Sequence, residues 1–345
     1  MLTIKNRPIH PPLLLAPMAG LTHSAFRTLL LFFGGVGLLS TEMLSARRLP
    51  CENDTISPYL IKTEVEKPLS YQLLVTAPKE VSPAVTMLHR FGADAVDLNL
   101  GCPAPNVRQA GGGCLLMSRP EAVSAIVKEA RKATILPLSA KIRLGEELNE
   151  SRLRDFCLML EGEGVDMITV HARLRKERFC RKPRWEWIGK VKKWLTIPVV
   201  ANGSIFEVED ARRCLELSGA DGLMIGRGCV IKPWIFRDIA REVYGCDYGA
   251  DVVNLPEIFF QLAENLEQRF KPERRLGRLK EFTHYFKDNY FFGHRLLAAV
   301  QSSNSMDEAL AGATAFFERN DPQALAAAKA PLQQSEKVAM DLHVS

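Results

Sequence analysis

The chain has 345 residues, of which 47% are hydrophobic and 25% charged, and its formal net charge is +5. That balance excludes a disordered chain and a coiled coil, and it leaves ample length to bury a core. The longest apolar run, residues 29–39, is broken by three glycines. It is well short of the ~20 apolar residues of a membrane span. Residues 1–12 carry Lys5 and Arg7 but no apolar signal region, so a soluble cytoplasmic protein is expected.

Apolar runs of strand length stand at 13–16, 37–41, 70–75, 95–100, 138–143, 166–171, 197–202 and 222–225. They are near-continuous rather than alternating, as in parallel strands covered on both faces. Helical patterns lie between them, for instance at 119–133, 150–163 and 207–218, with Pro120 at a first-turn position. Asp94 and Asp221 each stand just before a strand. The alternation reads as βαβ units. Eight such units in about 230 residues predict an α/β fold, a (β/α)8 TIM barrel. An open doubly wound sheet is the runner-up, but no G-x-G-x-x-G follows the first strand.

The pattern changes near residue 250. Gly245-Cys-Asp-Tyr-Gly-Ala is a cluster of helix breakers. Beyond it only helical periodicity remains, at 256–270, 273–288, 293–301 and 305–318. The expected organisation is a barrel domain at 1–248, a small C-terminal helical domain at 249–320 and a flexible tail at 321–345.

The eight cysteines include no C-x-x-C pair, so they read as reduced thiols, most of them small buried residues. Charge is clustered. Residues 173–193 hold ten basic side chains against Glu177 and Glu186, and residues 267–295 hold eight against four acidic ones. Two basic zones suggest a polyanionic partner, although a solvated surface explains them equally well.

In a barrel, chemistry gathers at the C-terminal ends of the strands. Those ends carry Pro17, Met18, Ala19, Gln72, Asn99, Cys102, Lys141, Arg143, His171, Asn202, Gly203, Gly226 and Arg227. No carboxylate pair stands there to suggest a glycosidase, and no His/Asp cluster suits a metal. A neutral-to-cationic mouth fits an anionic ligand. Asn202-Gly-Ser204 and Gly226-Arg-Gly228 let backbone amides approach a phosphate, although glycines also serve plain tight turns. Together with Lys141 and Gln72 they favour a phosphorylated cofactor such as FMN. Lys141 could stabilise negative charge on the N1/O2 edge of a reduced flavin and Gln72 could bond its pyrimidine edge, although neither role follows from spacing alone. Cys102 follows the fourth strand, and the loop continues to Gly111-Gly-Gly-Cys114 as a candidate lid. A thiol beside Lys and His can donate a proton or attack. Cys114 is the local rival.

At these residues the sequence resembles the tRNA-dihydrouridine synthase family, FMN-dependent reductases of uridine in RNA. The matching pieces are Ala16-Pro-Met-Ala-Gly-Leu-Thr22, Asp97-Leu-Asn-Leu-Gly-Cys-Pro103, Lys141-Ile-Arg143, Val170-His-Ala-Arg173, Pro198-Val-Val-Ala-Asn-Gly203, Gly219-Ala-Asp-Gly-Leu-Met-Ile-Gly-Arg227 and Pro233-Trp-Ile-Phe236. They keep the family's order. The resemblance implies that Pro17, Met18 and Ala19 line the flavin and that Gln72, Lys141 and His171 bond it. It implies that Asn202, Gly203, Ser204, Gly226 and Arg227 hold its phosphate. Asn99 and Arg143 would face the uracil. NADPH would reduce FMN, the flavin would give a hydride to uracil C6, and Cys102 would protonate C5. The target base must leave its stack to be reached. Arg175, Lys176 and Arg178 on the barrel, with Arg274, Arg275 and Arg278 on the helices, would grip the RNA backbone. A monomer working on tRNA without a metal or a membrane is the expected form.

Two runs depart from the family pattern. The usual His-Gly-Arg-Thr-like run reads His171-Ala-Arg-Leu, and the loop after Cys102-Pro reads Ala-Pro-Asn without a lysine often seen there. These leave open which uridine is reduced, and whether the RNA is tRNA or rRNA. The rival classes are a free-pyrimidine flavin barrel of the dihydroorotate or dihydropyrimidine dehydrogenase type, and a nonenzymatic RNA-binding barrel.

Overall fold

The computed structural model describes residues 2–53, 57–177, 179–249 and 252–320. The expected tail at 321–345 and the expected RNA contact Arg178 lie outside them. The chain divides into two compact units. A barrel unit takes the described residues up to Cys229 together with Pro233–Gly249. A helical unit takes Val230–Lys232 and the described residues from 252 onward.

The barrel unit opens with a hairpin that the apolar runs do not announce. Strands β1 (Leu2–Ile4) and β2 (Arg7–Ile9) pair antiparallel, and Lys5 turns between them at φ +56°. Leu2, Ile4 and Ile9 are buried in one cluster with Leu14, Met167, Val200 and Met224. Met167 begins a barrel strand, so this packing seals the N-terminal end of the barrel. The opposite end stays free for chemistry.

The barrel elements follow in order: β3 (Leu13–Leu15), α1 (Ser24–Phe33), β4 (Leu39–Ser45), β5 (Leu69–Leu74), α2 (Val81–Arg90) and β6 (Ala95–Asn99). Then come α3 (Pro105–Gln109), α4 (Pro120–Ala133), β7 (Leu138–Arg143), α5 (Glu150–Gly162), β8 (Met167–His171) and α6 (Trp185–Trp194). The last are β9 (Val199–Asn202), α7 (Val208–Ser218), β10 (Gly222–Ile225), α8 (Arg227–Ile231) and α9 (Ile235–Tyr244). The sheet runs β3-β10-β9-β8-β7-β6-β5-β4, all parallel. A bridge between Leu14 and Leu38 brings the two ends together, with the Leu15 N–H donating to the Leu38 carbonyl at 2.9 Å. The eight strands expected from the apolar runs are therefore the eight strands of a closed α/β barrel.

One repeat differs from expectation. Among the described residues between β4 and β5 there is only a short 3-10 turn, Leu49–Cys51, and no helix. Pro50, Pro58 and Pro68 punctuate this stretch and deny it a continuous helical run. The loop is tied down instead by Glu66. This buried carboxylate pairs with Arg27 at 2.5 Å and accepts from Ser24 Oγ and the Thr63 N–H.

The aspartates ahead of the strands share one use. Asp94 accepts from the Leu69 N–H, Asp166 from the Leu138 N–H and Asp221 from the Val199 N–H, at 2.8–2.9 Å. Each satisfies the first amide of the neighbouring strand, which the ladder leaves unpaired. Asp166 does this although the apolar run reads it as part of β8.

The helical unit holds α10 (Leu255–Arg269), α11 (Arg275–Phe286), α12 (Gly293–Ser302) and α13 (Met306–Glu318). Asn254 and Ser305 cap α10 and α13 by accepting from the amides of Glu257 and Glu308. Its core is aromatic: Phe259 lies 5.5 Å from Phe317 and 6.1 Å from Phe286, and Phe282 stacks on Phe286 at 4.9 Å. Among the described residues, no helix is long and apolar enough to cross a membrane.

Candidate active site

The C-terminal ends of β3 and of β7 to β10 line a cavity of about 140 Å³. Pro17, Met18, Lys141, His171, Asn202, Gly203, Ser204, Gly226 and Arg227 line it. These are nine of the residues expected to hold the cofactor. Ala19 and Gln72 do not belong to its wall. Arg173, Phe179 and Phe206 do, and the strand pattern does not single them out.

The wall is shaped by local backbone demands. Gly203 sits at φ +124°, and a Cβ there would stand 2.9 Å from His171 Cδ2. Ser204 follows at φ +51°. A Cβ on Gly228 would stand 2.1 Å from the Ile205 carbonyl oxygen. Only glycine fits such positions, and both leave backbone next to the cavity. Trp185 at the start of α6 donates Nε1–H to the Gly203 carbonyl at 3.0 Å and fixes the turn.

Lys141 donates to Asn202 Oδ1 at 2.8 Å, and Asn202 Nδ2 donates to the Met224 carbonyl at 2.7 Å. Burial, with Arg143 next in weight, lowers the lysine pKa to about 8. His171 is pushed well below its ordinary value by burial first, then by Lys141, Arg143, Arg173 and Arg227. The imidazole is therefore neutral at pH 7. Phe179 stacks on His171 at 6.0 Å, and the Arg227 guanidinium lies 4.3 Å from the same ring on a cation–π contact.

Gln72 and Asn99 belong to a buried polar row across β5, β6 and β7. Gln72 Nε2 donates to Asp97 at 2.7 Å, and Ser139 Oγ donates to the other oxygen of Asp97 at 2.6 Å. Asn99 Nδ2 donates to Gln72 Oε1 at 2.7 Å. Asn99 Oδ1 accepts the amide of Cys102 at 3.0 Å. Backbone amides only donate, so this end of the row sets which way both side-chain amides face. Burial raises the Asp97 pKa, opposed by the bonds from Gln72 and Ser139 and by the Lys141 charge. Asp97 carries no apparent role in the sequence, because its partners lie on other strands.

The two rival thiols separate. Cys102 is half-buried, and its carbonyl accepts from the Cys114 N–H at 3.0 Å. Cys114 is buried, and burial pushes its thiol up. The glycine run is locally folded: the Gly112 amide donates to the Val107 carbonyl, and residues Gly113–Ser118 form a 3-10 helix. Cys114 lines a larger cavity of about 540 Å³, beside Leu144, Leu153 and Phe156 and the carboxylates of Glu146 and Asp155. That space holds none of the expected cofactor residues. The convergence of cations, amides and glycines makes the smaller cavity the candidate site. Among the described residues, no group of three His, Cys, Asp or Glu side chains is placed to hold a metal ion.

The basic zones are less open than their charge suggests. Arg173 is 1% exposed and faces inward. Arg175 pairs with Glu146, Arg184 with Glu177, Lys190 with Glu150 and Lys192 with Asp221. Lys176, Arg181 and Lys182 remain at the surface. Arg143, expected to face the base, donates to the Leu174 carbonyl at 2.9 Å and lies 6.0 Å from the Phe179 ring. On the helical unit, Arg275 caps the carbonyls of Phe270 and Glu267 at the end of α10. Arg278 stacks on Phe270 and donates to the Arg274 carbonyl.

Comparison with known proteins decides the family. The model described as Dihydrouridine synthase (Dus) matches residues 14–318. The chain belongs to the dihydrouridine synthase family, a family of oxidoreductases. It is 33% identical over 310 residues to the tRNA-dihydrouridine(16) synthase of Aquipseudomonas alcaligenes, covering 86% of this chain and 98% of that one. It is 35% identical to the tRNA-dihydrouridine(16) synthase of Pseudomonas putida, covering 78% and 85%. The probable tRNA-dihydrouridine synthase 1 of Synechocystis is 37% identical, covering 69% of this chain and 67% of that one. Among solved structures, a 2-naphthoyl-CoA reductase complex aligns with a TM-score of 0.56 at 12% identity, over 70% of this chain and 51% of that chain. At that identity the likeness concerns the barrel fold alone.

Proposed function

We propose that this protein reduces uridine to 5,6-dihydrouridine in tRNA, with FMN as its cofactor and NADPH as the reductant. The observation that carries this reading is the cavity at the strand ends, lined by nine of the residues the family resemblance assigns to the cofactor, within a chain of this family. The cavity wall suits a flavin phosphate. The glycine turns leave backbone beside it, and Ser204, Asn202 and Arg227 add polar groups of which Arg227 is cationic. When bound, the flavin supplies the hydride for uracil C6. Cys102 donates the proton to C5. Lys141, still a cation at pH 7, holds negative charge on the cofactor side, and neutral His171 bonds it without competing charge. Asn99 and Arg143 face the base, and Lys176 and Arg274 contact phosphates of the RNA backbone.

Position 16 is the favoured target. An alignment of 310 residues is longer than the barrel unit, so it runs on into the helical unit. The relative aligned over that length carries position 16 in its name. Mapping dihydrouridine by mass in RNA from a deletion strain tests this. Loss at position 16 of tRNA, restored by the gene, is the expected result. Loss confined to rRNA, or no loss in RNA with turnover of free pyrimidines, overturns it. A purified protein that binds no FMN overturns the cofactor reading separately.

A further inference from the structure

Arg173 lies two residues past the point where His171 ends β8, and it is almost wholly buried. A guanidinium carries only donors. Its Nε and Nη2 donate to the Arg181 carbonyl, and Nη2 also reaches the Phe179 carbonyl at 3.1 Å and Ser204 Oγ at 2.7 Å. Its Nη1 stands 3.0 Å from His171 Nε2. Since Arg173 can only donate, Nε2 of His171 must offer its lone pair. The ring proton is then on Nδ1, the isomer an isolated histidine side chain disfavours.

We propose that Arg173 is a positioning residue that fixes His171 as an Nδ1-protonated imidazole and ties Ser204 and the Phe179 loop to the cavity wall. Three parts of the site meet on this one side chain: the end of β8, the turn after β9 and the segment that brings Phe179 to the cavity wall. Gly203 makes room for the arrangement, because a Cβ there would stand 3.2 Å from Arg173 Nη1 and 2.9 Å from His171 Cδ2. The charged groups that face the imidazole are Lys141 and Arg143 from β7, Arg227 from α8 and Arg173 itself. All are cationic and oppose a second proton on the ring. His171 thus keeps one donor and no charge. The importance of this donor for cofactor binding rests on the reading of the cavity as a flavin site, whereas the tautomer does not.

Long-range proton–nitrogen NMR on the full chain labelled at histidine nitrogen tests the assignment, with His171→Gln identifying the signal. The expected wild-type spectrum, with or without flavin, shows a protonated Nδ1 and a bare Nε2, unchanged between about pH 6 and 8. Arg173→Met is expected to move His171 towards the Nε2-protonated form and to weaken FMN binding roughly tenfold. Arg173→Lys retains one donor and is expected to fall between. A wild-type His171 protonated on Nε2, or charged, overturns the proposal without any variant. An unchanged tautomer in a folded Arg173→Met protein overturns it as well. A tautomer that moves while FMN affinity stays constant supports the position of Arg173 and overturns the flavin reading of the cavity.

Discussion

Lys141 shows what burial does to a single group in this site. Burial is the first cause of its lowered pKa of about 8, Arg143 adds to it, and Asp97 opposes both. Below that pH the ammonium is charged and draws an anionic ligand; above it the attraction is lost. FMN affinity is therefore expected to fall as pH rises through about 8, by roughly tenfold, since a bond to a charged group contributes about 1.5–3 kcal/mol. Flavin fluorescence titrations at several pH values read this directly, and Lys141→Met should flatten the curve at its weak end. The effect on folding has the opposite sign. Between about 8 and the ordinary lysine value the unfolded chain binds more protons, so the cost of burying this charge disappears as pH rises. Cys102 has a separate test. Cys102→Ala is expected to slow uridine reduction by roughly 100- to 10,000-fold while sparing flavin reduction by NADPH. Cys114→Ala removes a buried thiol and should lower stability alone; the reverse pattern in single-turnover assays would transfer the proton to Cys114. Cys102, Lys141 and His171 are legible in sequence because strand ends mark them. Asp97 and Arg173 are not, because their partners Gln72, Ser139 and Ser204 come from elements far away in the chain.

The elements follow from local chemistry where the chain is periodic. All eight barrel strands stand out as apolar runs, because parallel strands covered on both faces need apolar residues at every position. The hairpin of β1 and β2 escapes notice, since strands of three residues show no alternation to count. The absence of a helix among the described residues between β4 and β5 is the counterpart: prolines there break the repeat, and a buried ion pair takes over the work of a packed helix face. Arg27 donates to Glu66, to the Thr22 carbonyl at 2.6 Å and to the Ile61 carbonyl at 2.9 Å, so α1 and the loop are held by one side chain. Both partners are about as buried as apolar core residues. Arg27→Met leaves the Glu66 carboxylate in the interior without its counter-charge and is expected to cost about 3–5 kcal/mol. Arg7→Met, at an ion pair with Asp94 whose arginine is 36% exposed, is expected to cost only about 0–1 kcal/mol. Urea unfolding of the two variants gives the comparison, and equal losses would show that the Arg27 pair does not organise the loop.

For the whole molecule, a barrel followed by helices is legible from the change of periodicity near residue 250, but the use of its charge is not. Counting basic residues treats each as a free cation. The structure pairs Arg175 with Glu146 and spends Arg275 and Arg278 on carbonyls and an aromatic ring. None of that follows from the order of residues along the zone, because Glu146 belongs to another loop and Phe270 to the end of another helix. Among the described residues, the side chains left to meet a polyanion include Lys176, Arg181, Lys182 and Lys193 on the barrel unit and Lys271 and Arg274 on the helical unit. Each phosphate neutralised contributes roughly 0.7–0.9 to the salt slope of RNA binding. Lys271→Glu with Arg274→Glu is therefore expected to weaken tRNA binding and to flatten that slope by roughly one to two units. Lys176→Glu with Lys182→Glu is expected to act in the same direction. FMN content and NADPH oxidation should stay at wild-type level in both pairs, because none of the four residues lines the cavity. Arg275→Glu serves as the contrast, since losing the cap of α10 should lower the melting temperature before it changes the salt slope. Affinities measured across a salt series decide the matter: unchanged affinity and slope in both pairs would show that tRNA is not gripped through these zones, and would return a free pyrimidine to consideration as the substrate.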